Sequence, residues 1–546
     1  YGRVVGMKPP TIDHPETEVV VQGEENSIHL HRIVPVYGLT DGLPQRWLRS
    51  LMWKLINRYS EAIPDQHPAL LEQEHPARGN AVHMTHFPEE LGDIEIARRR
   101  LALDELIDLQ NAFRLRRAKM ETQASALPCE GDNRFIKPFL KSLPFEMTGS
   151  QTVVLKEIRQ DMTNGIPMRR LLQGDVGSGK TVVAAAASLM AIESGYNAVI
   201  MAPTEILAEQ HFENFREWFE PLGLTVNLRT GSRRVDADEP DLLRPVHDAN
   251  AGSISVGTHA LFQDAFAVDE LGLVVIDEQH KFGVAQREAL VRKGNYPHLL
   301  VMTATPIPRS LGLTLYGDLD VSSITELPGG RGRIRTFVRE DDKLPKVWDF
   351  IREQLKSGRQ AYVVYPRLEE TDLKKGLKAV TDEYERLRGR FPDVEFGLLH
   401  GRMKGDEKNR MMTGFQSGEI QVLMATTVVE VGVNVPNATV MLIENAEQFG
   451  LAQLHQLRGR IGRGAHESFC ILVANKKDEP VWERLKVMTE TTDGFRIAEE
   501  DLKLRGPGDM LGVDQSGEVN FRYADLVYDL PLVQQSRDIV HGVNDG

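Results

Sequence analysis

Cysteine is nearly missing from this 546-residue chain: only Cys129 and Cys470 occur, far apart. Two isolated thiols argue against a disulfide framework or a cysteine-rich zinc site, and they fit a reducing cytoplasm. Long apolar runs are missing too. The longest, Thr181 to Ile192 (TVVAAAASLMAI), is far short of the roughly 20 residues that span a bilayer, so no membrane partner is expected. The opening, YGRVVGMKPPTIDHPETEVV, has no apolar leader region and no initial methionine, and a fragment of a longer protein is expected. Positive charge is in deficit: 65 Lys and Arg against 79 Asp and Glu leave a net −14, which is awkward for a partner made of phosphates. What is present, 41% hydrophobic and 26% charged residues, is ordinary for a soluble globular protein. The length exceeds one hydrophobic core and suggests three or four domains.

Basic residues nonetheless cluster at Arg98 to Arg100, Arg114 to Lys119, Arg331 to Arg335 and Arg458 to Arg463. For the first two, a solvated helix face is the simpler reading. Residues 1–55 alternate apolar and polar (TEVVVQ, SIHLHRIVPVY), as strands do. Residues 56–125 switch to helical spacing with many charges, as a linking helix would. From about 140 the rhythm becomes strand, turn, helix, the α/β pattern of a parallel sheet covered by helices. Its strands are MRRLLQ, NAVIMA, SISVGT, LGLVVIDE and HLLVMTAT. After a Gly-rich candidate hinge at Gly329 to Gly332 comes a second series, QAYVVYP, EFGLLH, IQVLMAT, TVMLIEN and SFCILVA. The spacing therefore predicts two α/β domains, 126–328 and 329–477, and a charged helical tail with a Gly-rich hook over 478–546.

Gly174 to Thr181 reads GDVGSGKT, between an apolar strand and an apolar helix. Gly174, Gly177 and Gly179 let the backbone curl so that N–H groups cradle phosphate at a helix N-terminus. Lys180 then reaches the terminal phosphates of ATP, and Thr181 sets a hydroxyl on Mg²⁺. The apolar run LGLVVI ends in Asp277 and Glu278, at the strand end where ligands of parallel sheets bind. Asp277 would hold Mg²⁺, and Glu278 would orient or deprotonate the attacking water. In QLRGRIGRG, Arg460 and Arg463 lie on one side of a helical turn of the second domain. As arginine fingers they would supply roughly 10³ to 10⁵ in rate, and only when the domains close. A phosphate- or nucleic-acid-binding loop is the alternative. Thr204, after Pro203, offers a helix cap, Thr258 and His259 end a strand, and His280 stands three residues past Asp277; each is also explained by local structure alone.

Taken in order, these residues resemble the motifs of superfamily 2 helicases and translocases, and the likeness is nearest to the RecG family of branched-DNA translocases. LPFEMTGSQ resembles a Q motif, which implies that Gln151 reads adenine. APTEILAEQH, GTHAL and TATPIPR resemble motifs Ia, Ib and III, and so imply DNA contacts or coupling for Thr204, Thr258, His259, Thr303 and Thr305. ATTVVEVGVNVPNA resembles motif V, with Thr427 on the DNA side and Asn434 at the ribose, where many relatives carry Asp. TTDGFRIAEEDLKLRGPGDMLGVDQSG resembles a translocation motif, in which Arg484, Arg505 and Gln515 would couple closure to duplex movement.

The resemblance implies two RecA-like P-loop domains, a partial OB-fold wedge over 1–55, a helical linker and a helical-hairpin tail. It implies a DNA-dependent ATPase acting on double-stranded and branched DNA, at forks and Holliday junctions, in recombination and repair. A monomer associated with the bacterial nucleoid is expected, with a single-stranded DNA-binding protein as a further partner. An RNA helicase would lack the RGPG tail, and a transcription–repair coupling factor should carry a polymerase-binding domain. A nucleic-acid-binding module with a vestigial ATPase should have lost Lys180, Glu278 or the arginine pair. A signalling P-loop NTPase leaves QLRGRIGRG unexplained.

Overall fold

The computed structural model describes residues 3–7, 10–13, 28, 32–40, 42–235, 252–262, 268–278, 296–304, 319–329, 332–366, 373–401, 403–426, 435–474, 479–505, 521–526 and 528–542. The chain divides into two compact units, residues 113–518 and residues 1–112 with 519–546.

The larger unit holds two sheets. The first contains β3 (Arg169–Gly174), β4 (Asn197–Met201), β5 (Val226–Arg229), β6 (Arg234–Val235), β7 (Ile254–Gly257), β8 (Leu271–Ile276), β9 (His298–Thr303) and β10 (Asp320–Ile324). Their order is β10-β3-β9-β8-β4-β7-β5-β6, parallel except for the antiparallel β5–β6 pair. The second sheet orders β11 (Ile334–Arg339), β12 (Gln360–Val364), β13 (Phe396–Leu399), β14 (Val422–Ala425), β15 (Ala438–Ile443) and β16 (Ser468–Val473) as β11-β16-β15-β12-β14-β13. All of its pairs are parallel. Each of the ten strands read from the sequence is present. Strands buried on both faces must be apolar throughout, and β8 and β15 are buried at every residue.

The apolar run noted above is the helix Lys180–Glu193, whose every residue but Thr181 is buried. Ala184 to Ala187 are fully covered. Small side chains let this helix lie close on the sheet, and a larger residue there would overpack by about 1–3 kcal/mol. Cys129 and Cys470 are free and buried. Burial pushes each thiol up to about 12, which makes both inert.

The sequence reading placed a flexible hinge at Gly329 to Gly332. Residues 330–331 lie outside the described residues; at its end the Gly332 N–H donates to the carbonyl of Gly464, the last residue of the arginine motif, at 2.8 Å.

In the smaller unit β1 (Arg3–Met7) and β2 (Pro10–Asp13) form an antiparallel pair. The strand expectation fails further on: Gln45–Tyr59 is a helix, and among the described residues of 32–44 there is no strand. The stretch TEVVVQ lies outside the described residues. The linker comprises several helices, the longest being Leu91–Gln123. Its first basic cluster is only partly the solvated face that was expected: Arg99 is exposed, whereas its neighbours are engaged within the unit. Arg100 is fully buried and pairs with Asp104 and Asp65. Arg98 grips Asp529 through two bonds of 2.9 and 2.8 Å, while Glu105 accepts the N–H groups of Tyr523 and Ala524, both at 3.0 Å. The end of the chain thus folds onto the N-terminal helices, and the tail read as one segment over 478–546 is shared between the two units.

Candidate nucleotide cleft

Strand order brings the chemistry together. β3, β9 and β8 are neighbours, so their carboxyl ends set the glycine loop, Thr303 and the Asp277-Glu278 pair side by side. This is the edge at which parallel sheets bind ligands.

Gly177 (φ 76°) and Gly179 (φ 89°) adopt left-handed backbone that residues with a β-carbon disfavour. The curl they permit turns the loop onto the N-terminus of the helix Lys180–Glu193, its positive end. The Lys180 ammonium donates to the carbonyls of Gly174 at 2.7 Å and Asp175 at 2.9 Å, so it lies folded over its own loop. Burial lowers its proton affinity, against the opposing pull of Glu278, Asp277 and Asp175. Thr181 is the second residue of the helix.

Gln151 is fully buried beneath this loop. Its Nε2 donates to the Ser178 carbonyl at 2.7 Å, and its Oε1 accepts the Thr148 N–H at 2.8 Å. The second bond belongs to the capping box of the helix Gly149–Thr163. The residue expected to read adenine is therefore also a strut between a helix start and the phosphate loop.

Asp277 and Glu278 share a site but are driven apart in acidity. Burial alone would raise Asp277, but the His211 Nε2 at 2.8 Å, the charge of Lys180 and the Glu278 N–H hold it below its ordinary value. Glu278 is raised, by burial first and then by the Asp277 charge. Its backbone is left-handed (φ 50°), a strain of about 1–3 kcal/mol of the kind concentrated at functional sites. One Glu278 oxygen receives the Ala304 N–H at 3.4 Å. His211, on the helix Glu205–Phe219, was not singled out from the sequence. Its sole signal was a histidine inside an otherwise apolar-periodic helix.

Arg460 reaches this cleft from the second sheet. It is 6% exposed, and its charge is felt by both Glu278 and Lys180. Arg463 is turned onto its own helix end, with Nε donating to the Gly459 carbonyl at 3.3 Å. His455, also missed from the sequence, crosses between the sheets to Asp175.

The sequence profile of the DEAD/DEAH box helicases matches residues 148–312, and the helicase conserved C-terminal domain matches 342–465. Residues 491–546 match the C-terminal part of domain 3 of ATP-dependent DNA helicase RecG. The ATP-dependent DNA helicase RecG of Bacillus subtilis is 43% identical over 544 residues, covering 98% of this chain and 79% of the relative. The chain belongs to the RecG family. The RecG of Synechocystis is 45% identical over 537 residues, covering 97% of this chain and 64% of that protein. For Thermotoga maritima RecG the figures are 43%, 94% and 66%. The chain thus spans about two thirds of the length of some of the curated relatives it matches. A solved structure of RecG bound to a three-way DNA junction is 40% identical, with a TM-score of 0.71 over 94% of this chain and 67% of that one. The two parallel sheets are accordingly RecA-like domains.

Other expected RecG-family positions are scattered around the cleft. Thr204 caps the helix that carries His211, its hydroxyl accepting the Leu207 N–H at 3.4 Å. Thr258 is buried and His259 exposed at the end of β7. In the tail, Arg484 donates to the Glu447 carbonyl at 2.6 Å, while Arg505 ends the helix Gly494–Arg505. His280, Thr305, Thr427, Asn434 and Gln515 lie outside the described residues. Among the described residues, no helix is long and apolar enough to cross a membrane.

Proposed function

We propose that this chain is an ATP-driven translocase on duplex DNA that remodels branched junctions, by fork regression and branch migration. One observation carries the reading: the glycine loop with Lys180 and the Asp277-Glu278 pair lie side by side at the ends of neighbouring strands, and the His455–Asp175 contact brings the arginine-bearing segment of the second sheet's domain to that loop. The RecG-type tail beyond residue 491 directs it to branched DNA, and a relative solved on a three-way junction agrees.

In this reading the loop N–H groups hold the phosphates, and Lys180 leaves the Gly174 and Asp175 carbonyls to join them. The Thr181 hydroxyl and the Asp277 carboxylate are hard oxygen donors suited to Mg²⁺. An ion of this kind takes most of its ligands from phosphate and water. Bound there, Mg²⁺ would neutralise charge on the phosphates. Glu278, with its raised proton affinity, takes a proton from the attacking water as the water oxygen bonds the terminal phosphorus and the bond to ADP breaks. Arg460 stabilises the charge that develops, with Arg463 joining on closure. Gln151 serves adenine and Asn434 the ribose.

Thr204, Thr258, His259, His280, Thr303, Thr305 and Thr427 are assigned to DNA backbone contact or its coupling to ATP. Arg484, Arg505 and Gln515 are assigned to coupling through the tail. Domains over 126–328 and 329–477, a monomeric state, a nucleoid location in the cytoplasm and a single-stranded DNA-binding protein as partner complete the proposal. The test is ATP hydrolysis measured with a three-way junction, plain duplex, single strands and RNA. The junction should stimulate most, and Lys180→Ala should be silent with all four. An equal response to RNA would overturn the branched-DNA reading.

A further inference from the structure

The glycine loop carries one acidic side chain, Asp175, that none of the roles above employs. Lys180's contacts in the loop are to backbone carbonyls, and the Asp175 carboxylate binds two other parts of the chain. The His455 Nε2 lies 3.0 Å from Oδ1, and the Gly494 N–H points at Oδ2 from 3.4 Å. His455 belongs to the helix Leu451–Arg458 of the second RecA-like domain, and Gly494 opens the first helix of the RecG-type tail. His455 is 6% exposed and Arg458 2% exposed.

The protons in this network can be assigned. A guanidinium can only donate, so the 2.9 Å contact from Arg458 Nη2 makes His455 Nδ1 an acceptor. The Nε2 therefore carries the hydrogen and donates it to Asp175. Arg458 spends its other nitrogen, Nη1, on the carbonyls of Met488 at 2.8 Å and Thr491 at 2.9 Å. These lie at the carboxyl end of the helix Glu479–Glu490, where a cation suits the helix dipole. Beside them Gly459 meets the loop so closely that a β-carbon there would stand 2.6 Å from the Val176 side chain.

We propose that Asp175, His455 and Arg458 form a positioning relay between the phosphate loop and the tail. Asp175 is suited to be its origin, because its carbonyl holds Lys180 in the present arrangement and is released when Lys180 turns to phosphate. The change in the loop then reaches residues 488–494 through one imidazole and one guanidinium, or directly through Gly494. This rests on the motor reading, since it explains how the state of the nucleotide site would reach the tail. These residues are not catalytic: they touch the loop and the tail.

The experiment uses the whole chain with a triplex-displacement assay, which gives base pairs moved per ATP hydrolysed, and with hydrogen exchange over residues 488–494 with and without a non-hydrolysable ATP analogue. His455→Ala removes the imidazole route and leaves the Gly494 N–H contact to Asp175 in place. It should lower the base pairs moved per ATP by about tenfold, the worth of one charge-assisted bond, and reduce the response of 488–494 to the analogue severalfold. His455→Gln, whose amide can donate to Asp175 and accept from Arg458, should restore both to within about twofold of the parent. If His455→Ala does not fold, His455→Asn, too short to span both partners, takes its place. The relay is overturned if the variant keeps parental coupling and exchange response, or if His455→Gln does no better than His455→Ala. Should the parent hydrolyse ATP without moving on DNA, the motor reading fails by itself, and the exchange response still decides the relay.

Discussion

The two RecA-like domains have the same parallel architecture and opposite electrostatic roles. In the first, the strand β3 runs into a glycine loop, and buried titratable groups crowd the neighbouring strand ends: Lys180, Asp277, Glu278 and His211. In the second, the central strand β12 runs into Tyr365 and Pro366, with no glycine to curl the backbone. The strand β12 thus has no counterpart of the glycine loop at its described end, and what the second domain brings to the cleft is Arg460. A sheet of this kind provides a ligand edge wherever it occurs. Whether that edge binds nucleotide depends on a few glycines, and whether it fires hydrolysis depends on a cation from elsewhere. Dividing the two makes chemistry conditional on the domains meeting.

The division can be tested by removing its parts in turn. Arg460→Ala should cost the most, lowering kcat for ATP hydrolysis by roughly 10³ or more while nucleotide affinity, measured by fluorescence titration, stays close to the parent. A large loss of affinity instead would make Arg460 a binding residue of the first domain's kind. Glu278→Gln should lower kcat by about 10² to 10⁴, the usual worth of a general base. It should also remove the rise in rate with pH that a raised carboxyl imposes. His211→Ala should act through Asp277. Without its imidazole partner the buried carboxyl rises, and the acid limb of the pH–rate profile moves to higher pH; an unmoved limb would refute that assignment.

The smallest effect belongs to the second domain. Burial pushes Glu444 up to about 7, although Tyr365 donates to it at 3.1 Å. A raised carboxyl stabilises the fold below its unfolded value, and that contribution is lost as pH rises through 7. Thermal melts between pH 5 and 8 should therefore show Glu444→Gln losing less stability than the parent across that range.

Much of this molecule was legible in its residues. The glycine loop, the Asp-Glu pair and ten strands could be read because each depends on local rules: glycine for left-handed backbone, and unbroken apolar runs for strands buried on both faces. Strands β5, β6, β10 and β11 were missed. In β11 (IRTFVR) polar residues interrupt the apolar pattern, as they can on an edge strand with a partly open face. The helix Gln45–Tyr59 was read as part of a strand region, although WLRSLMWKLI has helical spacing, because the alternation upstream was carried too far. Arg98 and Arg100 could not have been read at all. Nothing local distinguishes a solvated arginine from one that clamps a segment more than 400 residues away.

By itself the sequence determined which residues can curl around phosphate and which strands are buried on both faces. Those are properties of short segments, fixed by backbone sterics and side-chain hydrophobicity. The tertiary structure alone decided that His211 restrains Asp277, that Gln151 props the loop, and that Asp175 is tied through His455 and Arg458 to the tail. The reason is that a hydrogen bond depends on distance and burial in three dimensions. Residues 175, 455 and 494 are brought together only when two sheets and a tail have packed.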